Sequence, residues 1–493
     1  MEPPLPQNVW NKLAPDAQAA VLVLVGQYEQ TIAALQHQVT QLNADVAELR
    51  ARLDQNSQNS SRPPSTDPPG LKRSPPHKPS GRKRGAQPGH TRHQRMLVPS
   101  HQVDQTVPCM PTACRRCGAA LQGTDSEPLR HQVTELPPVH PHVTEYQLHR
   151  LACPHCGTST CGQLPHGVPN GHFGPRLQGV LSLLSGAYRL SKRMVESLAS
   201  DLLGIEICTG EICALEQATA AALDTVVAEA RQYVQQQPSA NMDETSWREN
   251  RRRAWLWVAV TTAVTVFAIR LSRGAKVARE MLGETFGGLL SSDRWSGYHW
   301  ITLRRRQLCW AHLRRDFQAM IDRGTTGGVA IGERLLGHSD VLFEWWYRVR
   351  DGTLSRATFY DYVTRWLRPA FRQDLEAGTR CHCAKTAATC GELLRVESGL
   401  WTFLRHAGVE PTNNAAERTL RHAVLWRKVS YGTDSQAGSH FVENILSVVA
   451  SCRQQNRNVL DYLTSCCQAA VSGVPAASLL PTHAPGQPAL NAA

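Results

Sequence analysis

The chain has 493 residues, with 53 Lys and Arg against 41 Asp and Glu, a formal charge of +12 and a pI near 9.1. This length predicts two to four domains at roughly 100–200 residues each, and a hydrophobic content of 41 % excludes a wholly disordered chain. The basic balance favours a polyanionic partner.

The N-terminal residues, the apolar runs and the cysteines indicate in which cellular compartment the protein works. The first residues lack a basic segment followed by an apolar one, which predicts no secretory signal peptide. The longest strongly apolar run, between Arg253 and Arg270, is too short for a comfortable membrane span and is more typical of a β-hairpin. We therefore expect a cytoplasmic protein without a membrane partner, in which cysteines bind metal rather than form disulfides.

An apolar heptad repeat occupies residues 21–53 of the first predicted segment, 1–55. Its a positions are Val25, Ile32, Val39, Val46 and Leu53, and its d positions are Val21, Tyr28, Leu35, Leu42 and Leu49. Mostly β-branched residues at a with Leu at three d positions favour a parallel two-stranded coiled coil. The repeat predicts a homodimer or a higher oligomer; the alternative is one amphipathic helix packed on its own globule.

A basic, proline-rich linker is predicted over residues 56–100. It holds nine Lys or Arg, one Asp and nine prolines, a composition that prevents a packed core and favours a disordered chain. Arg82, Lys83 and Arg84 form a compact cluster that suits DNA phosphates. A solubilising spacer is the alternative.

Two CxxCG motifs predict a zinc ribbon over residues 101–165. They are Cys114-Arg-Arg-Cys117-Gly and Cys153-Pro-His-Cys156-Gly. Each thiolate pair can bind one side of a tetrahedral Zn²⁺, and the following glycine permits a tight turn. The intervening residues, rich in Val, Thr and Pro, predict short strands; four unrelated buried cysteines are the alternative.

A helical segment is predicted over 170–237, and the periodicity changes after Pro238. There the sequence predicts β-β-β-α-β, with Asp243 on the first strand and Asp293 at the end of the fourth. This order matches a ribonuclease-H-like nucleotidyl-transfer core, in which carboxylates from different elements hold two Mg²⁺. The sequence thus predicts a catalytic domain over 238–450.

A third carboxylate is predicted on a helix that follows Pro411. Asn413 or Asn414 is expected to cap this helix, and Glu417 falls in its first turn, where the helix dipole favours an anion. Basic residues suited to DNA phosphates follow at Arg418, Arg421, Arg427 and Lys428. An ordinary surface helix with acid at its start and base at its end is the alternative.

With these segments the chain resembles transposases of the insertion-sequence 66 family. The residues that carry the resemblance are NSSRPPSTD (59–67), GRKRGAQPGH (81–90), the two CxxCG motifs, MDETSW (242–247), SDRWSGY (292–298), CWAHLRRDF (309–317) and PTNNAAERTLRHAVLWRKVSYG (411–432). The resemblance implies a bacterial DDE transposase with Asp243, Asp293 and Glu417 as its catalytic triad. It also implies a Cys-x-x-His element, matched by Cys309 and His312, and a mostly helical insertion at about 318–405.

The expected fold is multidomain α+β: coiled coil, zinc ribbon, ribonuclease-H-like core with insertion, a C-terminal helix at 451–467 and a disordered tail at 468–493. The expected reaction is Mg²⁺- or Mn²⁺-dependent cleavage at transposon ends and transfer of the freed 3′-OH into target DNA. Accessory transposition proteins and the nucleoid are further expected partners. Two alternatives are a non-catalytic zinc-ribbon regulator and a nuclease with the same metal core.

Overall fold

The computed structural model describes residues 5–57, 59–62, 67 and 96–481. The chain divides into two compact units. The larger contains residues 1–71, 148–195 and 209–493, and the smaller contains 72–147 and 196–208. Across the described ranges, none of the helices combines the length and the hydropathy that crossing a bilayer requires.

The N-terminal part of the larger unit is dominated by one long helix. After a short helix α1 (Gln7–Trp10), helix α2 runs over Pro15–Leu53 and ends at Asp54, where the sequence predicts its end. The heptad side chains are largely exposed: Leu35 is 54 % exposed and Leu42 is 61 % exposed. No described segment of the same chain covers this apolar stripe, which argues against packing on its own globule.

The predicted linker is described only in part. The backbone N–H of Ser61 donates to Asp322 Oδ2 at 2.8 Å, so the first residues after α2 contact the folded part of the larger unit. The basic cluster Arg82, Lys83 and Arg84 lies outside the described residues.

The segment between the two CxxCG motifs differs from the prediction. A single hairpin, β1 (Arg150–Ala152) and β2 (Ser159–Cys161), flanks the second motif. Residues 118–149 contain no strand, so the short strands predicted there are wrong. Four prolines between 128 and 141 lack the N–H that a strand ladder requires.

The β-β-β-α-β order is present, preceded by the predicted helices. These are α3 (Pro175–Gly186), α4 (Lys192–Leu203) and α5 (Thr209–Gln235). The core then follows as β3 (Ser239–Glu249), β4 (Arg252–Val260), β5 (Thr265–Arg270), α6 (Ala275–Leu282) and β6 (Leu289–Ser292). The sequence did not predict the fifth strand, β7 (Arg306–Leu308), which is only three residues long.

These strands form one mixed sheet in the order β5-β4-β3-β6-β7. β3, β4 and β5 pair antiparallel, whereas β6 and β7 extend the sheet in parallel with β3. Alternate side chains of β4 and β5 join different hydrophobic clusters. Val266 packs in the cluster with α5 and α6, and Phe267 packs in the cluster with residues 416–423.

A helical region follows β7 and has its own hydrophobic core. Its elements are α7 (Trp310–Asp322), α8 (Thr326–Arg350), α9 (Arg356–Tyr362), a π-helical turn (Val363–Leu367), α10 (Arg368–Thr379), α11 (Ala384–Val396) and α12 (Thr402–Arg405). Phe317, Phe371 and Trp401 are fully or almost fully buried in this core. The helical insertion predicted at about 318–405 corresponds to α8–α12.

The C-terminal elements are α13 (Asn414–Ser430), α14 (Gln436–Gln454) and α15 (Val459–Val471). The single helix predicted at 451–467 is therefore wrong, because a left-handed residue, Asn456, interrupts it. The disordered tail predicted from 468 is wrong as far as 481. Leu479 is fully buried, and its carbonyl accepts from Gln455 Nε2 at 2.8 Å.

Candidate active site

Two of the predicted carboxylates lie on neighbouring parallel strands. Asp243 is in the middle of β3, and Asp293 directly follows β6. The register pairs Asn241 with Ser291, and each aspartate stands two positions beyond its member of that pair. Because side chains alternate with a period of two, both aspartates occupy the same level and face of the sheet.

The third predicted carboxylate reaches the same region from α13. Burial raises the pKa of Asp243 well above its usual range, and the charges of Asp293 and Glu417 raise it further. Burial also raises the pKa of Glu417, with a smaller contribution from Asp293. The tertiary structure thus brings the three acids into one electrostatically coupled group.

Asn413 connects α13 to the strand that carries Asp243. It occupies the N-cap position, but its side chain makes no capping hydrogen bond. Instead its Nδ2 donates to the Met242 carbonyl at 2.8 Å, and its Oδ1 accepts from Asn241 Nδ2 at 3.1 Å. The predicted capping role is therefore wrong for Asn413, because this buried amide bonds to β3 instead.

The loop after β6 holds Asp293 in place. Asp293 Oδ1 accepts from the backbone N–H of Trp295 at 2.9 Å, and the Asp293 carbonyl accepts from Arg306 Nη2 at 2.9 Å. Arg306 is 1 % exposed, and burial lowers the pKa of its guanidinium to about 10. At Gly297 a Cβ would lie 1.8 Å from the Trp295 ring, so this turn requires glycine.

A fourth carboxylate, Glu244, adjoins Asp243 on β3 and was not predicted; its cross-strand neighbour is Trp257, so it lies on the opposite face of the strand from Asp243. Its Oε2 accepts from the Tyr298 hydroxyl at 2.6 Å, and Arg273 Nη2 lies 2.7 Å from its Oε1. Burial raises the pKa of Glu244, and its charge in turn raises the pKa of Asp243. Glu244 follows Asp243 in the sequence, but no local signal shows that a tyrosine 54 positions later would bind it.

Cys309 and His312 lie beside Glu417. Cys309 precedes α7, and its Sγ is 3.9 Å from Glu417 Oε1; His312 Nδ1 is 3.4 Å from the same oxygen. Arg315, one turn later, places Nη2 at 3.9 Å from Glu417 Oε1. The Cys-x-x-His element therefore contacts the third carboxylate directly.

The two CxxCG motifs adopt the same local turn, each within its own unit. In the first, Gly118 N–H donates to the Cys114 carbonyl at 2.8 Å, and Gly118 has φ +75°. In the second, Gly157 N–H donates to the Cys153 carbonyl at 2.9 Å, with φ +71°. Nearby hydrogen-bond donors lower the pKa of Cys114 and of Cys156, which favours the thiolates that zinc requires.

The basic residues of α13 differ in their surroundings. Arg418, Arg421 and Lys428 are exposed and form no ion pair within the described residues. Arg427 Nη1 donates to Thr245 Oγ1 at 3.1 Å and also contacts Ser246, so its guanidinium binds β3. The exposed cations are available to an external anion.

A cavity lies between α13 and α14. Its apolar floor includes Phe267 and Leu446, and its basic rim comprises Arg189, Arg418, His422 and Arg453.

In the helical region, Trp401 and Trp346 are buried, whereas Trp366 is 69 % exposed. Only Trp366 among these indoles is free to stack on an unpaired base.

Comparison with known proteins gives a consistent assignment. The model of the transposase IS66 family matches residues 188–440, which are 253 of the 493 residues. The zinc-finger binding domain of transposase IS66 matches residues 111–157, and a family of unknown function matches residues 1–96.

Two relatives from Sinorhizobium fredii are also similar to the chain. The uncharacterized protein y4qI is 24 % identical over an alignment of 253 residues, and the match covers 46 % of this chain and 46 % of y4qI. The uncharacterized protein y4hP is 23 % identical over an alignment of 384 residues, and the match covers 70 % of this chain and 68 % of y4hP. The chain thus spans about half the length of y4qI and about two thirds of y4hP.

Proposed function

The chain belongs to the transposase IS66 family, and we propose on this premise that it is a DDE transposase. The reaction is hydrolysis of the phosphodiester at a transposon end, followed by attack of the freed 3′-OH on target DNA. One observation carries the proposal: Asp243, Asp293 and Glu417 come from three separate elements into one coupled acidic group. This is the arrangement that metal-dependent phosphodiester transfer needs.

The donor set fits two Mg²⁺ or Mn²⁺ ions. Asp243, Asp293 and Glu417 would hold them, because hard cations prefer carboxylate oxygens and would relieve the mutual repulsion of these charges. When bound, such ions stabilise charge on the attacking and leaving oxygens. The protein positions the ligands: the backbone N–H of Trp295 orients the Asp293 carboxylate, and the Asn413 side chain holds the start of α13 against β3.

The DNA-binding surfaces that we propose are the basic linker, the zinc ribbon and the exposed face of α13. Arg418 and Arg421 lie within about one helical turn of Glu417, so phosphates bound there would lie near the acids, and Lys428 would extend this basic surface about three turns along α13. Cys114, Cys117, Cys153 and Cys156 would hold one structural Zn²⁺, consistent with the zinc-finger match. Arg82, Lys83 and Arg84 would add sequence-independent phosphate contacts.

Self-association is proposed to occur through α2. Its exposed a and d side chains are the surface that a second copy would bury in a parallel coiled coil. Pairing of two protomers would hold two transposon ends in one complex. Cytoplasmic location, nucleoid association and accessory transposition proteins complete the proposal.

The test uses the full chain with DNA that carries the element's terminal inverted repeat. We expect Mg²⁺-dependent cleavage at the repeat and covalent joining of the new 3′ end to a second DNA. Asp243→Asn should abolish both while leaving DNA binding and folding intact. Cleavage without joining would identify a nuclease, and binding without cleavage would identify a regulator; either result would contradict the proposal.

A further inference from the structure

Three different metal-binding atoms surround one point at the start of α7. Cys309 Sγ, a nitrogen of His312 and a carboxylate oxygen of Glu417 all lie within 4.8 Å of one another. Cys309 and His312 are three residues apart at the beginning of a helix, a spacing that places both on one side. Glu417 arrives from the first turn of α13, more than 100 residues later.

The second candidate ligand is the imidazole of His312. Its Nδ1 is buried and makes no hydrogen bond within the described part of the chain, although Glu417 Oε1 is 3.4 Å away. A buried ring nitrogen without a hydrogen bond, placed beside a carboxylate oxygen, is available as a metal ligand. Neutral imidazole is the form that coordinates metal ions.

The thiol of Cys309 has the surroundings of a metal ligand. It is 1 % exposed, and the backbone N–H of Asn413 donates to its Sγ at 3.1 Å. Backbone donors to the sulfur are the kind of outer-shell contact that orients a ligand.

We propose that Cys309, His312 and Glu417 bind one transition-metal ion, with zinc as the reference cation, at a site separate from the CxxCG motifs. Thiolate and imidazole ligands select zinc over magnesium, which prefers oxygen. Binding releases the thiol proton to solvent as the sulfur–metal bond forms. Three protein ligands leave a fourth position open.

The site shares Glu417 with the proposed catalytic acids. A zinc ion held by Cys309 and His312 would engage the carboxylate that Mg²⁺ needs, and this consequence rests on the proposed function. Arg315, 3.9 Å from Glu417 Oε1, is the nearest competing cation. Metal binding at the cluster itself is independent of whether the protein cleaves DNA.

The test is Co²⁺ binding to the full chain, read as thiolate-to-cobalt charge-transfer absorption. A quadruple variant that combines Cys114→Ser, Cys117→Ser, Cys153→Ser and Cys156→Ser lacks the thiol ligands of both CxxCG motifs. In that background we expect one Co²⁺ per chain with a thiolate band. Cys309→Ser should abolish the band, and His312→Ala or Glu417→Gln should weaken affinity by about tenfold or more. Cys390→Ser, at another buried cysteine, should change neither.

A second measurement covers the case in which the quadruple variant does not fold. Zinc counted on the otherwise unmodified chain should be two per protomer, and Cys309→Ser should lower it to one. An unchanged zinc content and an unchanged cobalt spectrum in Cys309→Ser would overturn the proposal. Loss of DNA cleavage alone, with cobalt binding retained, would instead count against the proposed transposase reaction.

Discussion

The side-chain amide of Asn413 donates a hydrogen bond of 2.8 Å to the carbonyl of Met242, the residue before Asp243. This contact joins two of the three elements that carry the acids. The same residue's backbone N–H donates to Cys309 Sγ at 3.1 Å. Asn413 therefore connects β3, the start of α7 and the helix of Glu417 at one buried point.

Asn413→Ala should destabilise the fold and reduce cleavage. It leaves the Met242 carbonyl and the Asn241 amide without their buried partner, which costs about 1–3 kcal/mol of unfolding free energy. Urea unfolding and DNA cleavage measure the two effects. Asn414→Ala is the matched control, because the neighbouring amide is exposed. Equal behaviour of the two variants would contradict the role given to Asn413.

Asp243→Asn should stabilise the protein in buffer without Mg²⁺ at neutral pH. Burial and neighbouring acids raise the pKa of Asp243 in the folded state, so the folded state binds the proton more tightly than the unfolded state. Unmodified protein should therefore lose stability as pH rises from about 4 through the raised folded pKa. The expected gain is on the order of 1 kcal/mol per unit of pKa difference.

Urea unfolding between pH 5 and pH 8 measures this effect, with zinc retained and Mg²⁺ omitted. Added Mg²⁺ should stabilise the unmodified protein more than the variant. Asp351→Asn is the control, because hydrogen bonds from Thr353 lower the pKa of Asp351. If Asp243→Asn is less stable than unmodified protein across this pH range, burial and neighbouring acids do not raise the pKa of Asp243 in the folded state.

Cys114→Ser should release zinc and weaken binding to transposon-end DNA. The CxxCG turn leaves Cys117 exposed and Cys114 partly exposed, so the substitution removes little packing and mainly removes the proposed metal ligation. Zinc content and gel-shift affinity are the measurements. Cys109→Ser, an exposed cysteine outside the motif, should leave both unchanged. Retained end binding after zinc loss would separate the ribbon from DNA recognition.

Leu35→Asp combined with Leu42→Asp should convert the proposed oligomer to monomer. Both side chains belong to the exposed apolar stripe of α2, and charges at d positions oppose burial against a second copy. Sedimentation equilibrium reports the mass. His37→Asp with Ala44→Asp places the same charges at positions outside the stripe and should keep the oligomer. Unmodified protein that is monomeric at micromolar concentration would contradict the coiled coil.

Arg418→Ala with Arg421→Ala should reduce the salt dependence of DNA binding. Each phosphate contact contributes about 0.9 to the slope of log affinity against log salt, so the loss should approach about 1.8. Arg427→Ala should change the slope less and lower stability more, because Arg427 binds Thr245 and Ser246. Equal slopes for unmodified and doubly substituted protein would exclude this face of α13 from the DNA interface.

Local signals in the sequence determined much of this protein. Heptad spacing predicts the C-terminal end of α2, although the helix begins at Pro15, before the repeat. The change of periodicity after Pro238 predicts the order β3-β4-β5-α6-β6. Each CxxCG motif predicts its own turn, because a left-handed glycine after the second cysteine is a short-range requirement. The placement of Asp243 on β3 and of Glu417 in the first turn of α13 also followed from the local pattern.

Only the tertiary structure decided which distant groups meet. Asn413 has the residue type of a helix cap, yet its amide bonds to β3, 171 positions earlier in the chain. Glu244 reaches Tyr298, and His312 reaches Glu417, through packing that no local period encodes. The composition around Leu479 predicts a disordered tail, but in the structure this leucine is buried in a hydrophobic cluster formed by distant residues. Side-chain partners depend on the packed neighbours, whereas periodicity and turn chemistry act within a few residues.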